Sequence, residues 1–295
     1  MLRKMICLLV ILGGLVSARI AAASGQIVEG EFDSGLLDRP YRYLTYLPEG
    51  YDSACSNYPV VYLLHGSFGG HRDWVKKGNV TAILDKLIRQ GTIPPAIVVM
   101  PGNLSWWIDG HNEPAATAFL DELIPHIEDR FRVVPERSWR GVAGLSAGGY
   151  GAVSFALSRP DLFGAAAAFS PASYDPLPPD NSSAWHHPAF ATEAGQFDKE
   201  LWARSNYTAH LESYRAQDKV VPMYISAGDR DPFKAAHYAA ELESSLISHQ
   251  ADRVRLQIFP GGHTWRVWRA SLPHGVTFMF RYLRGPVGEG CDSAS

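Results

Sequence analysis

The sequence predicts an α/β fold in which a mostly parallel β-sheet is covered by helices on both faces. Short apolar runs such as 59–64 and 96–100 have the length and composition of strands that are buried on both sides. Segments such as 80–90 place apolar residues on one face at helical spacing and then reach a glycine. Because strands and helices alternate along the chain, successive strands are expected to lie parallel.

The predicted elements form one catalytic domain over residues 27–285, followed by a disordered tail over 286–295. Outside the central motif described below, strands are predicted over 41–47, 59–64, 96–100, 163–170, 221–227 and 253–259, and helices over 80–90, 117–131, 235–249 and 265–282. Pro125 is expected to kink or restart its helix. The proline-rich stretch of about 172–217 is too long for an ordinary loop, so we expect a small irregular cap over the strand ends.

The first 23 residues have the pattern of a signal peptide. Arg3 and Lys4 precede the apolar run 5–16, and Ala21-Ala22-Ala23 forms a small-residue cleavage site. The apolar run is short for a membrane-spanning helix, which needs roughly 20 residues. We therefore expect removal of residues 1–23, a secreted or periplasmic location and no membrane span afterwards, with an uncleaved anchor as the alternative.

Charge and cysteine content narrow the possible partners. The 27 basic and 30 acidic residues nearly balance, which gives no indication of a nucleic-acid partner. After removal of the signal peptide, Cys55 and Cys291 remain, and an exported protein could pair them. The sequence leaves that disulfide open, because it does not show whether the two Cα atoms come within bonding distance. It also leaves the oligomeric state open.

The central motif is Gly144-Leu145-Ser146-Ala147-Gly148, which lies between an apolar run and the helical stretch 152–157. A G-x-S-x-G sequence between strand and helix is typical of a nucleophile elbow, where small flanking residues let strand and helix approach closely. The serine hydroxyl then stands above the sheet at a helix N-terminus. The alternative is a glycine-rich turn whose serine caps the helix.

A serine nucleophile needs a base and an acid that orients the base, in the chain order Ser, Asp or Glu, His. His263 follows the last predicted strand on a glycine-flanked turn, and Asp231 follows the strand 221–227. Asp229 is the alternative acid, although it is better placed to cap its own turn or to pair with Arg230. All three catalytic candidates follow strands, at the sheet edge where parallel sheets bind ligands.

Two backbone N–H groups are expected to bind the oxyanion: that of Ala147, after the nucleophile, and that of Ser67, in the glycine-rich loop after strand 59–64. Phe68, Trp106 and Trp107 are the predicted substrate-binding residues, since aromatic faces stack on sugars or phenolic acids. Alternatively, one of the tryptophans packs against the cap. Histidine and cysteine spacing predicts no metal site, and no cofactor is expected.

Several motifs together resemble the esterase family of α/β hydrolases that includes S-formylglutathione hydrolase, feruloyl and acetylxylan esterases and the antigen 85 mycolyltransferases. The matching segments are 46–51, 63–66, 98–101, 144–149, Gly228 with Asp231, and Gly262-His263 with Trp265 and Trp268. The resemblance runs from about Phe32 to Leu283. It implies the α/β-hydrolase fold and an acyl-enzyme mechanism with Ser146, Asp231 and His263 as the triad.

The expected function is that of an exported serine carboxylesterase that hydrolyses small or carbohydrate-linked acyl esters. An antigen 85-type acyltransferase, which moves the acyl group to a sugar or glycerol, is the alternative. A serine peptidase and a non-catalytic binding module are less favoured. No appended domain such as a propeller supports a peptidase. A non-catalytic binding module would normally have lost a member of the triad, and all three are present here.

Overall fold

The structure, a computed structural model, describes residues 24–288. Its centre is an eight-stranded sheet with the order β1-β2-β4-β3-β5-β6-β7-β8. The strands are β1 (Gln26–Asp33), β2 (Pro40–Leu47), β3 (Val60–Leu64), β4 (Ile97–Pro101), β5 (Arg140–Leu145), β6 (Ala165–Phe169), β7 (Met223–Gly228) and β8 (Val254–Phe259). From β4 to β8 all neighbouring strands are parallel, whereas β2 is antiparallel to both β1 and β4. The predicted α/β-hydrolase architecture is confirmed.

The predicted helices are present with local differences, and three short helices, over 73–76, 199–205 and 207–215, were not predicted. They are α1 (Asp73–Lys76), α2 (Val80–Arg89), α3 (Ala115–Thr117), α4 (Ile124–Arg130), α5 (Ala147–Ser158), α6 (Lys199–Ser205), α7 (Tyr207–Arg215), α8 (Ala235–Gln250) and α9 (Trp265–Met279). Between α3 and α4 the chain forms a π-helix, Ala118–Leu123. Pro125 is the second residue of α4, directly after this π-helix, so the helix continues through a local change of hydrogen-bond pattern and does not restart. The last helix ends three residues before the predicted Tyr282.

Strand β1 was absent from the predicted elements. It lies at the edge of the sheet, pairs along its whole length with β2, and has no fully buried residue. An edge strand without a buried face lacks the alternating apolar pattern by which strands are recognised, so only the pairing itself reveals it.

The sheet separates two large apolar clusters, and a third lies beneath the segment between β6 and β7. That segment contains the 3₁₀ turns Ser183–His186 and Pro188–Phe190, then α6 and α7. Cap residues such as Phe190 and Trp202 pack in the third cluster with Tyr150 of α5. Tyr207 and Tyr214 of α7 belong instead to the main core. Helix α7 packs on α5, so the last part of the predicted cap belongs to the main core, and the extent of the cap stays a prediction.

The ends of the chain bear on three predictions. The proposed signal peptide, residues 1–23, and Cys291 lie outside the described residues. Cys55 is disulfide-bonded, and its pairing with Cys291 stays a prediction. Val287, which falls within the predicted tail, forms a bridge with Asn57. No helix within residues 24–288 is long and apolar enough to cross a membrane.

Candidate active site

Ser146 lies on a tight turn between β5 and α5. Its backbone has φ 53° and ψ −118°, a conformation that a non-glycine residue rarely adopts. The flanking glycines make the turn possible. A Cβ on Gly144 would lie 2.3 Å from the carbonyl oxygen of Gly148, and one on Gly148 would lie 2.5 Å from that of His65. The strained turn therefore projects the Ser146 hydroxyl above the end of β5.

A hydrogen-bonded chain connects the three side chains predicted as a triad. The Ser146 hydroxyl lies 2.8 Å from Nε2 of His263, and Nδ1 of His263 lies 2.6 Å from Oδ2 of Asp231. Because Asp231 accepts from Nδ1–H, the neutral imidazole presents an unprotonated Nε2 to the serine. This is the arrangement in which the histidine takes the hydroxyl proton.

Buried surroundings hold the acid and the base. The Asp231 side chain is 1% exposed, and its Oδ1 accepts the backbone N–H of Phe233 at 3.0 Å. The rings of Phe233 and Trp268 pack edge-on against the His263 imidazole, with centroids at 4.8 and 5.0 Å. Asp229, the alternative acid, instead accepts the Gly261 N–H at 2.7 Å. It shapes the histidine loop and does not contact the imidazole.

The two predicted oxyanion donors lie at neighbouring positions. Ala147 is the first residue of α5, where backbone N–H groups have no partner within the helix. Ser67 lies in the loop after β3, and both residues line one cavity of about 360 Å³. That these two N–H groups bind the oxyanion stays a prediction.

His65 connects the loop after β3 to the loop after β4 by hydrogen bonds, and it is not part of the predicted triad. Its Nδ1 donates to Gly66 O at 2.8 Å, and its Nε2 accepts the Asn103 N–H at 3.1 Å. Burial lowers the pKa of His65 to about 4, so the ring is neutral at pH 7. A neutral ring is what these two hydrogen bonds require, since one nitrogen donates and the other accepts.

Two cavities adjoin the nucleophile elbow, and Ser146 itself lines only the second. The one beside the oxyanion donors is mostly apolar and is lined by Phe68, Leu104, Trp106, His187 and Pro188 among others. A second cleft of about 250 Å³ contains Ser146, His263, Trp265 and the ion pair Asp73–Lys77. His263, the predicted base, therefore lines only the cleft of about 250 Å³.

The predicted substrate-binding aromatics differ in their exposure. Phe68 is 71% exposed at the cavity rim, whereas Trp106 and Trp107 are 2% and 1% exposed. Trp107 has a φ of 60°, and its Nε1 donates to His65 O at 3.0 Å. It forms a wall between the cavity and a rear cleft of about 300 Å³. Packing covers the rings of both tryptophans, so neither offers an open face on which a substrate could stack.

Two residues of the cap were not predicted at the site. His187 is buried in the cavity wall, contacts the ring of Phe68 and accepts the Ala189 N–H at Nδ1. Burial lowers the pKa of His187 to about 4. Ser183 hydrogen-bonds to Ser67 from the cap. Nothing in the local sequence brings these residues to the strand ends, since their placement depends on how the cap folds.

Within residues 24–288, no group of three or more histidine, cysteine, aspartate or glutamate side chains is arranged to hold a metal ion.

A serine on a strand–turn–helix elbow, with a histidine and a carboxylate at neighbouring strand ends of a mostly parallel sheet, defines the class of α/β hydrolases. The sequence profile of one family, described as "Putative esterase", matches residues 34–279. The chain belongs to this family. The predicted family is confirmed.

Individual relatives are similar over different parts of the chain. An endo-1,4-beta-xylanase/feruloyl esterase of Xylanibacter ruminicola is 36% identical over 141 residues, which make up 44% of this chain and 19% of that protein. An esterase of Mycobacterium tuberculosis is 27% identical over 255 residues, 75% of this chain and 52% of its own. The chain thus spans about a fifth and about half of the length of these two relatives.

A solved structure of a ferulic acid esterase resembles the whole domain. Its TM-score is 0.76 at 24% identity, over 88% of this chain and 99% of that one. At this identity the likeness shows the fold alone.

Proposed function

We propose that this protein is an exported serine carboxylesterase that hydrolyses small or carbohydrate-linked acyl esters. The observation that carries the proposal is the continuous hydrogen-bond chain from Ser146 through His263 to the buried Asp231. Such a chain activates a hydroxyl that is otherwise a weak nucleophile. Family membership supports ester chemistry, and the predicted signal peptide over residues 1–23 supports export.

In the proposed reaction, the Ser146 oxygen attacks the ester carbonyl while Nε2 of His263 takes the hydroxyl proton. Asp231 stabilises the imidazolium that forms, and the N–H groups of Ser67 and Ala147 bind the tetrahedral oxyanion. The imidazolium then gives its proton to the departing alcohol oxygen, which leaves an acyl group on Ser146. Water, deprotonated by His263, attacks the carbonyl of this acyl-enzyme. The imidazolium then returns the proton to the departing Ser146 oxygen, which releases the acid and restores the enzyme.

In the proposed complex, the alcohol and acyl parts of the ester occupy different cavities. The alcohol oxygen must lie within hydrogen-bond reach of His263, so the alcohol part occupies the cleft with Trp265 and the Asp73–Lys77 pair. The acyl part then extends the other way, into the mostly apolar cavity of about 360 Å³. The polar and aromatic groups around the cleft of about 250 Å³ suit a sugar. The cavity of about 360 Å³ has room for a short or aromatic acyl group. Feruloyl esterase activity in a named relative supports this reading.

The test is hydrolysis of p-nitrophenyl acetate and butyrate, and of acetylated and feruloylated xylan fragments, by the wild type and Ser146→Ala. The wild type should hydrolyse these esters and be labelled by a fluorophosphonate probe at Ser146. The variant should lose both properties, with a drop of about 10⁴-fold or more in kcat. Unchanged hydrolysis by Ser146→Ala would overturn the proposal. Acyl transfer to added sugar in preference to water would favour the transferase.

A further inference from the structure

The side chain of Ser67 is held by hydrogen bonds from two separate parts of the chain. Nε1 of Trp106, in the loop after β4, donates to the Ser67 hydroxyl oxygen at 2.9 Å. The hydroxyl of Ser183, in the first 3₁₀ turn of the cap, lies 3.1 Å from the same oxygen. The residue whose backbone N–H is proposed to bind the oxyanion is therefore fixed from outside its own loop.

The loop that carries Ser67 is rich in glycine, and one backbone hydrogen bond, from the Gly69 N–H to the Gly66 carbonyl at 3.0 Å, closes its turn. Gly66, Gly69 and Gly70 make up three of the five residues between His65 and His71, and glycine has the greatest backbone freedom. Phe68 adopts a φ of 53° and is 71% exposed, so it is not anchored by burial. An oxyanion donor stabilises a transition state fully only if it is in place beforehand. The hydrogen bonds of Trp106 and Ser183 to the Ser67 side chain hold this donor in place before the reaction begins.

The Trp106 side chain is tightly packed. Trp106 is 2% exposed, and its ring contacts the rings of Tyr150, Phe190 and Trp202 at centroid distances of 5.5 to 6.0 Å. Tyr150 lies on the elbow helix α5, whereas Phe190 and Trp202 belong to the cap. Trp106 thus connects Ser67 both to the helix that carries the other oxyanion donor, Ala147, and to the cap.

We propose that Trp106 and Ser183 are positioning residues that hold the Ser67 N–H in the oxyanion hole, so that the cap completes the catalytic machinery as well as covering the substrate. The proposal rests on the proposed esterase function. It assigns to Trp106 a role through its indole N–H, in place of substrate stacking.

The test compares Trp106→Phe and Ser183→Ala, which remove one hydrogen bond each, with two matched controls. Trp185→Phe removes an indole hydrogen bond of 3.0 Å to Pro179 within the cap, and Ser213→Ala removes a hydroxyl hydrogen bond of 3.0 Å in α7. Each positioning variant should lower kcat for p-nitrophenyl butyrate about tenfold with KM within about twofold, and the double variant should approach about a hundredfold. The controls should stay within about twofold of wild type.

A second measurement separates positioning from general damage. A trifluoromethyl ketone forms a hemiketal whose oxygen occupies the oxyanion position, so its affinity should fall in the same ratio as kcat. Ser183→Thr, which keeps the hydroxyl, should restore both. Equal kcat and inhibitor affinity in wild type and Ser183→Ala would overturn the proposal, as would an effect on KM alone. Ser183 is only partly buried, so this variant decides the question even if Trp106→Phe is unstable. Failure of the esterase proposal is distinct, since Ser146→Ala would then stay active.

Discussion

Gly148 on the elbow helix faces the backbone of His65 so closely that a Cβ would lie 2.5 Å from the His65 carbonyl oxygen and 2.6 Å from that of Leu64. These atoms belong to the end of β3, which continues into the oxyanion loop. The contact joins the nucleophile turn to that loop with no side chain between them. Glycine at this position is thus required by close packing, and its φ is not in the left-handed region.

Gly148→Ala is expected to push the elbow helix away from β3 and to lower both stability and activity. Carbonyl oxygens of the backbone cannot rotate aside, so the overpacking should cost about 1–3 kcal/mol of unfolding free energy. Urea unfolding and kcat on p-nitrophenyl butyrate would measure the two effects. Gly70→Ala is the control, because a Cβ there meets nothing within 4 Å. Equal stability of the two variants would contradict the packing argument.

Asp231→Asn should lower kcat by about 10⁴-fold, because an amide in place of the carboxylate favours the wrong tautomer of His263. Asp229→Asn should change kcat only a few-fold, since Asp229 accepts the Gly261 N–H and does not contact the imidazole. Steady-state kinetics at pH 8 on a short ester would compare them. A larger loss in Asp229→Asn than in Asp231→Asn would reverse the assignment of the acid.

Trp107→Ala should lengthen the acyl group that the enzyme accepts. Trp107 lies between the cavity of about 360 Å³ and the rear cleft of about 300 Å³, so its truncation joins them. The ratio of kcat/KM for p-nitrophenyl octanoate to that for butyrate should rise about tenfold. Phe119→Leu is the control: Phe119 contacts the Trp107 ring and is buried, yet it lines neither space. An unchanged ratio in folded Trp107→Ala would show that another residue closes the cavity.

Stability should fall on acidification from about pH 6.5 towards pH 4. Burial lowers the pKa values of His65 and His187 to about 4 in the folded protein, so between these limits the unfolded chain binds protons that the folded protein excludes. Above pH 6.5 neither state is protonated at these sites, and the effect disappears. For His65 the loss is at most about 1.4 kcal/mol per pH unit.

Urea unfolding at pH 7 and pH 5 would measure this dependence. His65→Gln should be less stable at pH 7 but should show a smaller difference between the two pH values. His186→Gln, at an exposed position, should keep the wild-type difference. An undiminished difference in His65→Gln would assign the acid sensitivity to other groups.

The parts of the site that follow strands could be predicted from the sequence. Ser146, Asp231 and His263 each come directly after an apolar run, and a parallel sheet brings such positions to one edge whatever the intervening chain does. The choice of Asp231 over Asp229 followed the same logic of how far a turn carries a residue past its strand, and the hydrogen bond to His263 agrees with it. Their catalytic roles remain predictions.

The residues that lie off the strand ends could not be placed in this way. Trp106 and Trp107 are adjacent, and aromatic composition alone suggests that both could face a substrate. The structure buries them on different sides: Trp107 against His65 and Gly151, Trp106 among the rings of the cap. Which side each ring takes depends on a backbone turn with φ 60° at Trp107, and no periodic pattern encodes such a turn.

The sequence by itself determined the fold class, the family and the order of the candidate triad, because strand burial, helix periodicity and the glycine spacing of the elbow are local properties of the chain. The edge strand β1, the packing of α7 on α5 and the hydrogen bonds of Trp106 and Ser183 to Ser67 were decided only by tertiary structure. These features join segments up to 116 residues apart. They depend on which irregular backbone the packed domain can stabilise, and that is a property of the whole fold.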